Sequence, residues 1–198
     1  MKKLIWFTAI FVLFLVFIVP GILALGIKLI PNGDQPGYDS NRRLSIYGVR
    51  AVSQKFVSDK NNLSAVGTSL RNPNLKNKKN IIFNLYDLNN NLIRTSILNG
   101  QNVQDGDFTK FVFDPIKDSK DKVYIFNISS PETGPEETTE VFYGQDMPAW
   151  IVEYIYDEKI HTGGIPIVLY TKPNSKFEVI KEIYSNWLSR LLHLNSQR

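Results

Sequence analysis

The residues best suited to bind a ligand lie in the last third of the chain, around the loop of residues 144–148. Tyr143 and Trp150 flank this loop, and Asp146 lies inside it. Aromatic rings can stack on the apolar C–H faces of sugars while carboxylates and amides bind the hydroxyls, a mixture typical of a shallow ligand site. Aromatic residues also favour strands, so each ring is either a ligand contact or part of a core. We predict a carbohydrate site at Tyr143, Asp146 and Trp150.

The nearby tyrosines Tyr154, Tyr156 and Tyr170 and the turns of the chain offer no stronger candidate for a ligand or metal site. The segment that starts at Asp87 resembles the beginning of a calcium loop, but Leu92 and Leu98 stand where that loop needs Gly and Glu. This segment is therefore predicted to be a hairpin turn. No cofactor and no metal are predicted, and the sequence leaves open whether the turn carboxylates Asp118 and Asp121 hold a structural calcium ion.

Catalytic groups are also sparse. The chain has two histidines, His161 and His193, and no nucleophile-elbow motif to accompany them. The segment SSPETGPEETTE holds four glutamates in a Pro- and Gly-containing loop, which is typical of a solvated surface rather than of two rigidly separated carboxylates. These patterns predict a protein that is not an enzyme.

The N-terminal segment is the strongest single feature of the chain. A run of 24 residues without a charge begins at Leu4 and ends at Ile27. A helix of this length covers roughly 36 Å, enough to cross a hydrocarbon core of about 30 Å. A cleaved secretory signal is the alternative, but its apolar core would be shorter and Ala24-Leu25-Gly26 is a weak cleavage match. A retained signal anchor is favoured.

Flanking charges bear on the orientation of this helix. Lys2 and Lys3 favour a cytoplasmic N-terminus, whereas Lys28, Arg42 and Arg43 oppose it. Long folded domains translocate largely regardless of such charges. We therefore predict a single-pass protein of the bacterial cytoplasmic membrane, with the bulk of the chain extracytoplasmic and the lipid bilayer as a partner.

The overall charge does not indicate nucleic-acid binding. The formal net charge is +4, but without the three lysines that flank the apolar run the chain has 20 basic and 19 acidic residues. A balance of this kind lacks the basic stripe that phosphate backbones require. The absence of cysteine excludes disulfides and weakly favours a bacterial envelope over a eukaryotic secreted protein.

After a Pro-, Gly- and Asp-rich spacer, short runs with two-residue alternation are separated by Asn- and Asp-rich turns. Phe83 and Leu85 share one face of such a run, while Asn84 and Tyr86 share the other. This pattern of alternation and turns predicts a mainly β fold, an antiparallel jelly-roll sandwich of about eight strands. The predicted strands cover residues 44–57, 65–71, 80–87, 92–98, 108–114, 122–129, 150–156 and 166–171.

The last segment has a different period. Ser175 followed by Glu178 is a capping-box signature. Apolar residues then recur at helical spacing and include Phe177, Trp187 and Leu191, which predicts an amphipathic helix. Three placements stay open: on the sandwich, at the membrane surface with Trp187 at headgroup level, or on a partner membrane protein. The predicted organisation is an anchor at 1–30, a linker at 31–43, the sandwich at 44–173 and this helix at 174–198.

Several short segments between Val52 and Lys172 resemble a known family. They are SQKF from Ser53, NNLS from Asn61, IFNL from Ile82, FVFDPIKDSK from Phe111, and then Tyr124 and Ser130-Pro131. Together they are similar to the galactose-binding-like, carbohydrate-binding-like jelly-roll module of bacterial membrane proteins associated with envelope glycosyltransferases. The resemblance implies a sandwich on the outer face of the cytoplasmic membrane with a binding or structural role, although a fold does not fix a ligand.

These observations give two main functional hypotheses. The first is a membrane-anchored sandwich that binds envelope carbohydrate or assists a membrane glycan-processing partner. The second is a non-catalytic structural or assembly subunit of a membrane protein complex, with a polytopic membrane protein as its partner. A small glycan hydrolase is a third and weaker hypothesis.

Overall fold

The computed structural model describes residues 2–32, 36–103 and 108–196, and the chain divides into two compact units. One is helical and consists of Met1–Ile30 with Lys172–Arg198; the other is built of strands and consists of Pro31–Thr171. The division brings the two ends of the chain into the same unit. The spacer that follows the apolar segment belongs to the β unit from Pro31 onward.

The helical unit contains a long N-terminal helix and a C-terminal helix. The N-terminal helix runs as α1 (Lys2–Leu13), a π-helical stretch (Phe14–Ile18) and α2 (Val19–Gly26). Its stretch from Ile5 to Gly26 is long and apolar enough to cross a membrane. The π-helical stretch lies just before Pro20, whose ring removes a backbone donor from the helix.

The C-terminal helix, α3 (Lys176–Ser196), begins where the capping-box pattern predicted. The Ser175 hydroxyl accepts a hydrogen bond from the N–H of Glu178 at 3.3 Å. The Glu178 carboxylate in turn accepts from the N–H of Asn174 at 2.8 Å. The first bond satisfies an N–H of the first helical turn, and the second ties the residue before Ser175 to the helix.

Within the helical unit, α3 packs on α2. Val179 is buried together with Ala24 and Ile30, and Ile27, Ile180 and Ile183 pack around them. The Lys176 Nζ donates to the carbonyl oxygens of Ala24 and Leu25 at 2.7 and 3.2 Å, which satisfies acceptors at the end of α2. The Tyr184 hydroxyl donates to the carbonyl of Val16, which lies four residues before Pro20 and so cannot receive the usual helical N–H.

The β unit confirms the predicted mainly β class, with two antiparallel sheets that pack as a sandwich. The first sheet has the order β1-β12-β4-β9-β2, with β7 also paired to β4; the second has the order β11-β10-β3-β8-β5-β6. The described strands are β1 (Ile30–Pro31), β2 (Arg43–Ile46), β3 (Val52–Val57), β4 (Leu63–Arg71), β5 (Asn80–Tyr86), β6 (Leu92–Asn99), β7 (Phe108–Ile116), β8 (Val123–Ser129), β9 (Thr139–Phe142), β10 (Ile151–Tyr156), β11 (Lys159–His161) and β12 (Ile167–Thr171).

The predicted count of about eight strands is too low. The predicted strand at 44–57 is two strands, β2 and β3, because a tight turn from Tyr47 to Arg50 interrupts it. Gly48 adopts a positive φ of 52° there, which glycine tolerates without strain. The short strands β1, β9 and β11 were not predicted, since two to four residues carry too little alternation to be recognised.

Phenylalanine side chains join the two sheets. The ring of Phe83 on β5 stacks on Phe111 of β7 at 4.9 Å and on Phe126 of β8 at 5.5 Å, between ring centroids. All three are fully buried. Because β5 and β8 belong to the second sheet and β7 to the first, this stack lies at the centre of the sandwich and supplies packing beyond simple burial.

The two sheets differ in how far their outer faces are exposed to solvent. Residues 63–70 of β4 are all buried, whereas β3, β5 and β8 alternate between buried and partly exposed positions. Part of the spacer contributes to the β unit: the Tyr38 ring lies 4.7 Å from Phe142, and Asn32 exchanges two hydrogen bonds with the backbone of Leu169. The first sheet is therefore buried on both faces along β4, while the second exposes one face.

Candidate ligand-binding site

A polar cavity of about 250 Å³ lies beside the loop predicted to bind carbohydrate. It is formed by the segment before β2 and by the loop after β9, which the sandwich holds together. Asp146, which the sequence analysis proposed as a ligand contact, is exposed and lines this cavity. The lining residues are Gly37, Asp39, Arg42, Gly144, Gln145, Asp146 and Met147.

Backbone contacts hold the loop in place. Gly144 and Gly164 exchange two N–H···O hydrogen bonds of 2.8 and 2.9 Å. Gly163 has a φ of 92°, and a Cβ atom there would lie 2.2 Å from the carbonyl oxygen of Gly144. A side chain at this position would push Gly144 away, so Gly163 allows the close approach that holds Gly144 in the wall of the cavity.

Charged groups of both signs line the cavity. The Arg42 Nε lies 3.2 Å from a carboxylate oxygen of Asp39, and the other oxygen of Asp39 accepts from the Asn41 N–H at 2.9 Å. These contacts fix the orientation of Asp39. Carboxylates accept hydrogen bonds from hydroxyl groups, while the guanidinium and the Gln145 amide can donate them. The set suits a polyhydroxylated ligand.

The structure does not bring the predicted aromatic residues to the cavity. Tyr143 and Trp150 are half-buried and pack against the hydrophobic core. The Tyr143 ring centroid lies 5.8 Å from that of Tyr154, and the Trp150 carbonyl accepts from the Val57 N–H at 2.8 Å. Among the described residues that line the cavity, neither ring is present.

The neighbouring tyrosines are also structural. Tyr154 is 4% exposed, and its ring stacks on His161 at 5.0 Å. Burial raises the pKa of the Tyr154 phenol above its usual range, so it stays protonated and neutral near pH 7. The hydroxyl of Tyr156 donates to the Ser45 carbonyl at 2.9 Å, and Tyr170 is buried.

A second polar surface was not predicted from the sequence. Ser53, Asn127, Asn84 and Thr95 occupy one row across β3, β8, β5 and β6. The Asn127 Nδ2 donates to the Ser53 hydroxyl at 3.0 Å, and the Thr95 hydroxyl donates to the Asn84 Oδ1 at 2.8 Å. We call these four residues the polar row.

Alternation in the sequence places each member of the polar row on an outward face, but the row itself depends on strand order and register. A one-residue slip would move an amide to the other face of the sheet. Beside the row, Lys55 and Glu153 form an ion pair of 3.6 Å. The row lies on an open sheet face, whereas the residues around Asp146 line a cavity.

The residues predicted to face the membrane or a partner lie in the helical unit. Leu4 is in α1, and Ile27 follows α2 and packs beside Val179. Phe177 and Leu191 are 77% and 61% exposed. The Trp187 ring is less exposed and lies edge-on to Tyr184, with 5.9 Å between centroids.

Comparisons with known proteins add no assignment. No protein-family model matches the chain, and no curated protein matches it either. The resemblance to the galactose-binding-like module therefore stays a prediction. Among the described residues, no group of three His, Cys, Asp or Glu side chains is placed to hold a metal ion.

Proposed function

We propose that the protein is a membrane-anchored, non-catalytic β-sandwich that binds envelope carbohydrate at the cavity around Asp146, on the outer face of a bacterial cytoplasmic membrane. The observation that carries this proposal is the meeting of Asp39, Arg42, Gln145 and Asp146 around one concave polar space. The apolar stretch from Ile5 to Gly26 supports anchoring.

The cavity would recognise hydroxyl groups through paired acceptors and donors. Asp39 and Asp146 accept hydrogen bonds from the ligand, and Arg42 and Gln145 donate to its ring and hydroxyl oxygens. The cavity is shallow, and Asp39, Gln145 and Asp146 are exposed while Arg42 is half-buried, so water competes for each of these bonds. We therefore expect modest affinity for a single sugar unit and stronger retention of a polymer that offers many units.

Binding of the full-length protein in lipid nanodiscs to fragments of bacterial envelope glycans tests the proposal. Asp146→Ala and Arg42→Ala should each weaken binding by roughly tenfold, the loss expected for one hydrogen bond to a charged group. Asn84→Ala and Asn127→Ala, on the polar row, serve as matched controls and should leave binding unchanged. If the polar-row variants lose binding and the cavity variants keep it, the site is on the open sheet face instead.

Trp150→Ala separates ligand contact from structure. The indole packs against the core, so its removal should lower the stability of the β unit rather than act directly on the ligand. Loss of binding in a Trp150→Ala protein that unfolds at the same denaturant concentration as the wild type would show that Trp150 contacts the sugar, as predicted from the sequence.

An assembly role is the second candidate, and the exposed apolar side chains of α3 favour it. Leu188, Leu191 and Leu192 are each about 60% exposed, which is more apolar surface than a helix in water usually presents. In this role the leucines would contact a polytopic membrane protein. Co-purification of one polytopic protein, lost when all three leucines are changed to serine and kept in Asp146→Ala, would support it.

A further inference from the structure

A second cavity, of about 390 Å³, lies in the helical unit where α2 ends and α3 begins. Its lining combines residues that follow the apolar helix with residues that precede α3. They are Ile27, Lys28, Lys172, Pro173, Asn174, Ser175 and Lys176. Of these residues only Ile27 was predicted to contact the membrane, and none belongs to the predicted carbohydrate site.

The lining is basic. Three of the seven residues are lysines and none is acidic. The Lys176 ammonium is held by the carbonyl oxygens of Ala24 and Leu25, which fixes one positive charge at the wall. Lys28 and Lys172 are exposed, and among the described residues neither has a carboxylate partner. Two ammonium groups therefore remain for an anion.

The N-terminus of α3 does not supply this anion site. The Glu178 N–H already donates to Ser175, and the Glu178 carboxylate, which accepts from the Asn174 N–H, places a negative charge in the first turn. That carboxylate is engaged in the cap and does not line the cavity. The lysine ammonium groups therefore have to supply the attraction.

The position of the cavity indicates which anion it would meet. The apolar helix ends at Gly26, and Lys28 follows two residues later. In an anchored protein this is the depth at which the hydrocarbon ends and the phosphate groups of phospholipids begin. We propose that the cavity binds the phosphodiester of one anionic phospholipid headgroup, with Lys28 and Lys172 as its ligands and Lys176 as a fixed positive wall. This proposal rests on the membrane anchoring proposed above.

Native mass spectrometry of the full-length protein, released from nanodiscs that contain phosphatidylcholine and phosphatidylglycerol, tests the proposal. The wild type should retain one phosphatidylglycerol molecule. The double variant Lys28→Gln with Lys172→Gln should retain it roughly 10- to 30-fold less, since each lysine near a bilayer surface contributes a comparable attraction. Lys181→Gln with Lys122→Gln, two exposed lysines outside the cavity, removes the same charge and should change nothing.

Further outcomes distinguish a specific lipid site from general electrostatic attraction to the bilayer and from a failure of membrane anchoring. Equal losses in both double variants, or retention of phosphatidylcholine as readily as phosphatidylglycerol, would overturn the proposal. Displacement of the lipid by millimolar glycerol phosphate would assign the site to free phosphate esters instead. Flotation of each variant with liposomes tests anchoring separately: a wild type that fails to float contradicts both proposals, whereas flotation without lipid retention contradicts this one alone.

Discussion

Side-chain amides occupy two contrasting regions of the β unit. Asn77 and Gln54 are fully buried, and each makes three hydrogen bonds through its amide. Asn84 and Asn127 lie on the outer face of the second sheet and make one bond each to a hydroxyl group. All four side chains carry the same carboxamide group. Their burial and their number of hydrogen-bond partners therefore decide how much each one stabilises the fold.

The buried amides act as cross-links between distant parts of the chain. Asn77 donates to Ser130 at 3.1 Å and to Thr139 at 2.8 Å, and its oxygen accepts from the Lys79 N–H at 2.8 Å. A buried polar group that loses its partner costs more than the net gain from making the bond. The cluster is therefore stabilising only while it stays complete.

Asn77→Ala should destabilise the β unit more than any substitution described below. It removes three hydrogen bonds, leaves the Lys79 N–H without its acceptor and opens a cavity. We expect a loss of about 3–4 kcal/mol in the free energy of unfolding. Urea unfolding of the full-length protein in detergent, followed by circular dichroism, measures this change.

The matched control is Asn89→Ala, because Asn89 is exposed in the turn after β5. Its loss should be below about 0.5 kcal/mol. An Asn77→Ala protein as stable as this control would show that the buried cluster does not hold the sandwich together.

Gln54→Leu should have the second-largest effect. The Gln54 Nε2 donates to the carbonyls of Lys55 and Glu153 at 2.8 and 2.7 Å, and its Oε1 accepts from the Ile165 N–H at 2.8 Å. Leucine fills nearly the same volume, so no large cavity forms and the loss should be about 2 kcal/mol. Hydrogen exchange should rise first at Ile165. Unchanged exchange there would contradict a cross-linking role.

Local patterns explain which parts of the fold were predictable. The alternation of Phe83 and Leu85 with Asn84 and Tyr86, and the cap formed by Ser175, are encoded by neighbouring residues, and the structure contains both. By contrast, β4 is buried on both faces and shows no alternation that separates inside from outside. Strand existence was therefore easier to predict than strand boundaries or partners.

The candidate site was predictable only in part. Asp146 lies in the predicted loop, but Arg42 reaches the same cavity from a segment about a hundred residues earlier. The same limit applies to Asn77, whose partner Thr139 is 62 residues away. Tyr143 and Trp150 are residue types that can stack on sugars. In this structure they pack against the core instead, because large aromatic side chains bury much apolar area.

Asn84→Ala and Asn127→Ala should each change the free energy of unfolding by about 0.5 kcal/mol or less, although they remove the same functional group as Asn77→Ala. Each loses one bond on a face where water can replace it. Thermal unfolding of the two variants beside Asn77→Ala measures the contrast directly. A loss above about 2 kcal/mol for either would show that the polar row is structural.

Asp87 has several hydrogen-bond partners although it is only partly buried. Its carboxylate accepts from the Asn91 Nδ2 and N–H, both at 2.9 Å, and from the Asn89 N–H at 2.8 Å. The side-chain bond from Asn91, followed by the backbone N–H groups, lowers the pKa of Asp87 below its usual range.

A lowered pKa in the folded protein means that ionised Asp87 stabilises the turn. This contribution is present above the unfolded pKa of about 3.9 and is lost as the pH falls through the folded value. Because water reaches the partly exposed carboxylate, Asp87→Asn should have the smallest effect of these substitutions and should flatten the acid side of the stability profile slightly. NMR titration of the Asp87 carboxyl carbon measures the pKa directly. A value at or above that of a model peptide would show that these three hydrogen bonds do not stabilise the ionised carboxylate of Asp87 at its partly exposed site.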